Sequence, residues 1–210
     1  QPTIKPQKAQ AFVPFSIEAG QDWPSLQQEV TRLFAEAKDI LEAEKFLKGT
    51  GTNEPQGLHT GGTLVVSTAA TATYAIGDVY SLQQSLAPRW APRARWLASN
   101  TLINTTYRFA GPGSSEPALV NEDRTRLLGR PLYELSTMGT AISTGGTIVT
   151  YGDYSAGYRI VDRVGASVEL VPHLFGTANN RPIGARGLYM YWRVGAGVVV
   201  PKAFKSLKVK

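Results

Sequence analysis

Apolar residues recur at Leu26, Val30, Leu33, Phe34, Ala37, Ile40, Leu41 and Leu47, the 3.6-residue stripe of an amphipathic helix. Asp22, Pro24 and the pair Ser25/Gln28 supply helix-start chemistry: an N-cap carboxylate, a first-turn proline and a capping box. Gly49 closes the segment as a C-cap glycine. At 1.5 Å per residue, a helix from Trp23 to Lys48 is roughly 39 Å long, about twice the common globular length. Such a helix lies across a sheet and serves as a backbone for it. Leu33 and Phe34, mid-stripe, are expected to be buried against late strands at Val168 and Leu170. Glu36 and Lys38 belong to the outer face.

Elsewhere the period changes. Residues 1–10 read as an extended arm, and residues 11–18 as a proline-interrupted strand at a sheet edge. A turn-rich loop runs from Gly49 to Leu58, and residues 64–67 read as a short buried strand. Asp78 is placed to cap a helix through Val79, Leu82 and Leu86, ended by Pro88. A second short helix spans 100–109, and a glycine–serine–proline loop spans 110–115. Strand–turn–strand follows at 127–133, and Thr147–Gly152 is strand-like. Alternation through Tyr158, Ile160, Val164, Val168 and Leu170 predicts a long strand over 158–171. Two more strand segments follow, at 188–194 and at 198–209, the last ending in lysines. Helices early and strands late, without regular alternation, predict an α+β fold.

The chain has 210 residues, 42% apolar and 18% charged, which excludes wholesale disorder. It has no cysteine, so disulfide scaffolds, zinc ribbons and thiol catalysis are excluded. The longest nearly unbroken apolar run, 194–200, is far short of the ~20 residues of a membrane span. A net charge of +6 is compatible with a polyanionic partner. The sequence carries no recognisable catalytic motif. His59 and His173 form no metal pair, and no Gly-x-Ser-x-Gly elbow marks a nucleophile. The 49–58 loop has neither the spacing nor the flanking elements of a nucleotide-binding loop. No catalytic residue, cofactor site or metal site is therefore assigned.

Trp90 and Trp96 flank Arg89, Arg93 and Arg95. Aromatics among arginines can bind single-stranded nucleic acid, which makes a sequence-independent nucleic-acid-binding protein the rival from another class. The preferred reading is a helix with core tryptophans and solvated arginines.

Several stretches together resemble the major capsid protein family of tailed bacteriophages, the Hong Kong ninety-seven type. A long helix precedes Gly49, Gly51, Pro55 and Gly57, as the family's spine helix precedes its Gly-x-Gly-x-x-x-Pro-x-Gly loop. Trp96-Leu97-Ala98-Ser99-Asn100 is similar to the family's small-apolar stretch. Leu128-Gly129-Arg130-Pro131-Leu132 resembles its Leu-Gly-x-Pro-Val turn. Gly152-Asp153-Tyr154-Ser155, ahead of Tyr158-Arg159-Ile160 and Asp162-Arg163, resembles its Gly-Asp-aromatic segment. The resemblance spans residues 12–210.

The resemblance implies an α+β phage capsid fold: a peripheral domain with the spine helix on a sheet (11–54 and 153–194) and a mixed axial domain (55–152 and 195–210). It implies a structural protein, not an enzyme, that assembles through hexamers and pentamers into an icosahedral shell around double-stranded DNA. An encapsulin-like compartment or a gene-transfer particle shell is the alternative. Implied partners are copies of itself, non-specifically packaged DNA, and portal, scaffolding or protease functions, with no membrane. The implied location is the virion, assembled in the bacterial cytoplasm. Glu36, Lys38, Asp153, Tyr154, Asn179 and Asn180 are the candidate subunit contacts. The family carries an arm and an extended hairpin before the spine helix, whereas twenty-two residues precede Trp23 here and the first is Gln1 rather than Met. The expectation is that this is the C-terminal core of a longer protein. Some family shells join a hairpin lysine to a late asparagine, and Asn179 and Asn180 lie in that region, although a plain polar loop is the preferred reading.

Overall fold

The computed structural model describes residues 3–61, 65–109, 118–178 and 180–210. Strand β1 (Gln7–Ser16) begins inside the expected arm. Ser16 ends it and caps the short helix α1 (Ile17–Asp22), its hydroxyl accepting the Ala19 N–H at 3.0 Å. Asp22 therefore closes α1 rather than opening the long helix. That helix, α2 (Leu26–Lys48), is unbroken over 23 residues. The capping box does not form. Ser25 is already in αR geometry and makes no cap; its hydroxyl accepts the Trp23 indole N–H at 2.7 Å.

The remaining elements are α3 (Leu58–Gly61), β2 (Val65–Ser67), α4 (Ile76–Gln84), β3 (Arg95–Ala98), α5 (Asn100–Arg108), β4 (Arg126–Leu127), β5 (Arg130–Glu134), β6 (Thr147–Gly152), α6 (Tyr154–Gly157), β7 (Tyr158–Val171), β8 (Ala185–Val198) and β9 (Phe204–Lys208). Single 3₁₀ turns occupy Ala91–Arg93 and Pro201–Ala203. Two sheets result. One has three strands in the order β1-β8-β7, all antiparallel; the other has six, β2-β9-β6-β3-β5-β4, with parallel pairs at β2/β9 and β3/β5.

Each sheet has its own core. In the three-strand unit, Val30 and Phe34 of α2 pack on Leu188, Met190, Trp192 and Val194, which alternate along β8 as a one-sided strand must. In the six-strand unit, Trp96 and Tyr151 face each other across β3 and β6 and stack with ring centroids 4.1 Å apart. Leu82, Leu102, Ile148 and Leu207 are completely buried around them. Asp78 does hold the start of α4, but from within its first turn: its carboxylate accepts the N–H groups of Ala75 and Ala69, both at 2.9 Å. The β4–β5 turn places Leu128 at φ +48° and Gly129 at φ +74°, the paired positive values of a two-residue hairpin turn. Leu128 adopts this unfavourable geometry while packing against the larger core.

Several expectations are corrected. Leu33 is 53% exposed, and Val168 and Leu170 are also exposed, because α2 lies over β8 and β1 and leaves β7 uncovered. Val65 of β2 is exposed at a sheet edge, so this strand is not buried. The stretch 198–209 is not one strand: Val198 ends β8, and the 3₁₀ turn separates it from β9. The loop expected at 110–115 lies outside the described residues.

The packing sets a clear contrast between neighbouring side chains. Phe34→Ala should lower subunit stability by ~3–5 kcal/mol, the range for a buried phenylalanine. Leu33→Ala, on the solvent side, should stay within ~0.5 kcal/mol. Denaturant titration of the two variants measures both; equal losses would mean that α2 presents a different face to β8.

Candidate assembly surfaces

The end of α2 is fastened to the sheets by one loop. The Gly49 N–H donates to the Lys45 carbonyl, and the Gly57 N–H donates to the Gly49 carbonyl, both at 2.8 Å. Gly49 has φ −55°, so the left-handed cap expected from sequence is not what requires glycine. Crowding is the reason. A Cβ at Gly49 would lie 2.1 Å from the Pro55 carbonyl oxygen, and one at Gly57 would lie 2.5 Å from the Gly49 nitrogen. From this loop, the Gln56 N–H donates to Ala196 O, while its side-chain oxygen accepts the Val198 N–H. The Tyr158 hydroxyl is shared between the carbonyls of Phe46 (3.1 Å) and Gln56 (2.7 Å), and burial raises its pKa. Lys45 and Glu54 close the outside of the junction at 2.6 Å.

Beside this junction lies a cavity of about 550 Å³, predominantly apolar, lined among others by Phe46, Leu58, Leu97, Leu135 and Ile160. Tyr154 also lines it; its hydroxyl is buried without a hydrogen-bond partner, and burial raises its pKa. Asp153 is buried as well. Its carboxylate accepts the N–H groups of Ser155 and Ala156, and the Ser155 hydroxyl, at the start of α6. Both residues are thus turned toward their own subunit. Glu36 is exposed, and Lys38 is half-buried against Glu42 at 3.0 Å rather than fully outward. Asn180 is exposed in the β7–β8 connection at φ +51°, and Asn179 lies outside the described residues. Asp153 and Tyr154 face inward while Glu36 and Asn180 are exposed, so the five described candidates form no single cluster.

What it does expose is apolar. Leu33 and Ile40 stand outward on α2, Ile160, Val161, Val168 and Leu170 on β7, and Phe175 and Ile183 near the tip of the β7–β8 hairpin. The sequence placed Leu33, Val168 and Leu170 in a shared core. A signal was present in β7: Arg159 and Asp162 have opposite parity, so neither face of the strand is purely apolar.

The Trp90–Trp96 stretch is a 3₁₀ turn followed by β3, not the helix expected. Trp96 is fully buried. Arg89 lies over Trp90, and Arg95 lies over Tyr133. A stacking platform needs open rings, so the nucleic-acid-binding alternative loses its central aromatic. His173 is exposed, and no group of three or more histidines and carboxylates that could hold a metal occurs among the described residues. No helix among them is long and apolar enough to cross a membrane.

A long helix on a small sheet, a larger mixed sheet beside it, and apolar surfaces facing outward together define a subunit that works by contact with others. The chain belongs to the phage capsid family, whose model matches residues 1–209. It is a shell-forming capsid protein, structural rather than enzymatic. Among solved structures, the fold is similar to the capsid of an empty GTA particle, at TM-score 0.83 and 20% identity over 98% of this chain and 74% of that one. It is also similar to a Gordonia phage Cozz structure (0.71, 15%, 99% and 71%). A third likeness is to the holo-SrpI encapsulin complex from Synechococcus elongatus (0.68, 16%, 97% and 73%). No curated protein sequence matches the chain.

His59, in α3 beside the junction, gives a pH test of subunit integrity. Burial, with a smaller effect from nearby Lys48, lowers its pKa from 6.5 to about 4. Its Nε2 has no hydrogen-bond partner. Between these values the unfolded chain binds the extra proton and the folded one does not, so the contribution of His59 to stability is fully present above pH 6.5 and is lost as pH drops toward 4. His59→Gln should flatten that segment of a stability–pH curve measured by thermal melting. An unchanged slope would place the loss at other groups.

Proposed function

We propose that the protein builds an icosahedral shell through hexamers and pentamers, and that the shell encloses double-stranded DNA as the head of a virion, assembled in the bacterial host. The observation that carries this reading is that two unlike surfaces, the outer face of α2 and the β7–β8 hairpin, expose large apolar side chains on one subunit. Unlike surfaces meeting head to tail close into rings, whereas a self-matching surface stops at a dimer. The three-strand unit with α2 serves as the peripheral domain and the six-strand unit as the axial domain. Glu36, Lys38 and Asn180 are reachable from outside and belong to the contacts between copies. Asp153 and Tyr154 support those contacts by shaping α6. A net charge of +6 over these 210 residues, repeated over many copies, favours a polyanionic cargo through many weak contacts. Portal, scaffolding and protease partners complete the assembly.

Expression of the full-length protein with its neighbouring genes, followed by electron microscopy and nuclease-protection assay, tests the reading. The expected result is closed particles that protect double-stranded DNA. Particles filled with an enzyme would favour a compartment instead. A protein that stays monomeric under assembly conditions would refute both.

A further inference from the structure

The outer face of α2 has the spacing of a helix that docks in a groove. Leu33, Ala37 and Ile40 stand at i, i+4 and i+7 and are all exposed, with Leu33 at 53% and Ile40 at 60%. Glu36 and Glu44 lie on the same face, and neither has an ion-pair partner among the described residues. By contrast, Glu29, Glu42 and Glu54 are all paired. These anchors do not line the cavity beside the junction of their own copy. There α2 contributes Ala43, Phe46 and Leu47.

That cavity has the complementary character. Its walls are apolar, and at the start of β7 they include Ile160, 52% exposed, and Arg159. Arg163 follows on the same edge, where the β7–β8 register slips between Asp162 and Val164. Neither arginine has an ion-pair partner among the described residues. Glu36 and Glu44 are ~12 Å apart along a helix at 1.5 Å per residue. Arg159 and Arg163 are ~13 Å apart along a strand at 3.3 Å per residue, slightly less across the irregularity. Opposite charges at matched spacing therefore flank an apolar ridge on one surface and an apolar hollow on the other.

We infer that the Leu33–Ala37–Ile40 ridge of one subunit docks in the cavity at the base of β7 of the next copy, with Glu36 and Glu44 against Arg159 and Arg163. The occupant is a second copy of this chain, and the contact is heterologous, as ring closure requires. Placing the ridge there covers apolar surface on both copies and gives four unpaired charges their partners. This contact rests on the shell-forming reading and specifies which surfaces meet.

Residues 1–210 contain no cysteine, so cysteines introduced on the two surfaces give a direct test, with the unsubstituted full-length protein as the control. Full-length Ile40→Cys and Ile160→Cys variants, both at exposed positions, are assembled separately and as a mixture, then oxidised and run on a denaturing gel. A disulfide-linked dimer in the mixture, with little in either single variant, is the expected result. Dimers from Ile40→Cys alone would show two α2 helices meeting each other and overturn the proposal. Shells of normal appearance with no linked dimer in the mixture would overturn it while leaving shell formation intact. Failure of the unsubstituted protein to form shells would overturn both. As a second measurement, Glu36→Arg and Arg159→Glu should each reduce the assembled fraction several-fold, and the double variant should recover most of it. Two singles that assemble normally would refute the pairing.

Discussion

The junction at the end of α2 is the constraint on which the rest of the structure depends. A helix of 23 residues must stop at a fixed place, and the chain must turn within a few residues to reach both sheets. Two close backbone approaches, at Gly49 and Gly57, leave no room for a side chain. The hydrogen bonds of Gln56 and Tyr158 then tie that turn to one end of the β7–β8 ladder, where Tyr158 pairs with Val198. Backbone and side-chain hydrogen bonds together occupy the polar groups of the turn, which holds α2 at a fixed angle to β7 and β8. The three-strand unit takes its orientation from this loop. The position of the cavity at the base of β7 follows from it too, since α2, α3 and β7 all contribute walls.

Much of this architecture was legible in sequence, for identifiable reasons. The end of α2 at Lys48 and the limits of β6 and β7 fall where the patterns place them, because each pattern is bounded by glycine, proline or a capping aspartate. The order of motifs around Gly49, Gly129 and Gly152 sufficed to reveal the family. What was not legible is which apolar side chains stay uncovered. Phe34 and Leu33 are adjacent, both apolar and both within the stripe, yet one is buried under α2 and the other faces outward. Periodicity reports that a side chain is destined for cover, whether the cover comes from its own chain or from another copy. In an assembling protein the two are written in the same residues.

Trp96 is a core residue as the preferred reading expected, but the helix expected around it is a strand. Tryptophan beside arginine is equally suited to a nucleic-acid platform and to a core strand with a charged rim. Strand pairing decides: opposite Tyr151 on β6, Trp96 points into the larger core, and Arg95, one residue earlier, points away from it over Tyr133. The alternation of a four-residue strand was too short to be distinguished from a helical turn by period alone.

A subunit that must remain single until it meets its copies faces a conflict, because the surfaces that make the shell would also make disordered aggregates. Strand β7 shows how the conflict is contained. It is a 14-residue edge with large exposed apolar side chains, the type of edge that recruits stray strands. Yet its register with β8 is broken twice, between Asp162 and Val164 and again between Val164 and Ser167. Arg159, Asp162 and Arg163 crowd the same stretch. Irregular pairing twists an edge away from a flat template, and charges penalise an apolar strand laid along it. Both features oppose a new strand. Neither opposes a helix with carboxylates beside its apolar ridge, which needs no backbone ladder and meets the arginines with opposite charge. On the proposed docking, the edge disfavours an added strand and accepts a helix.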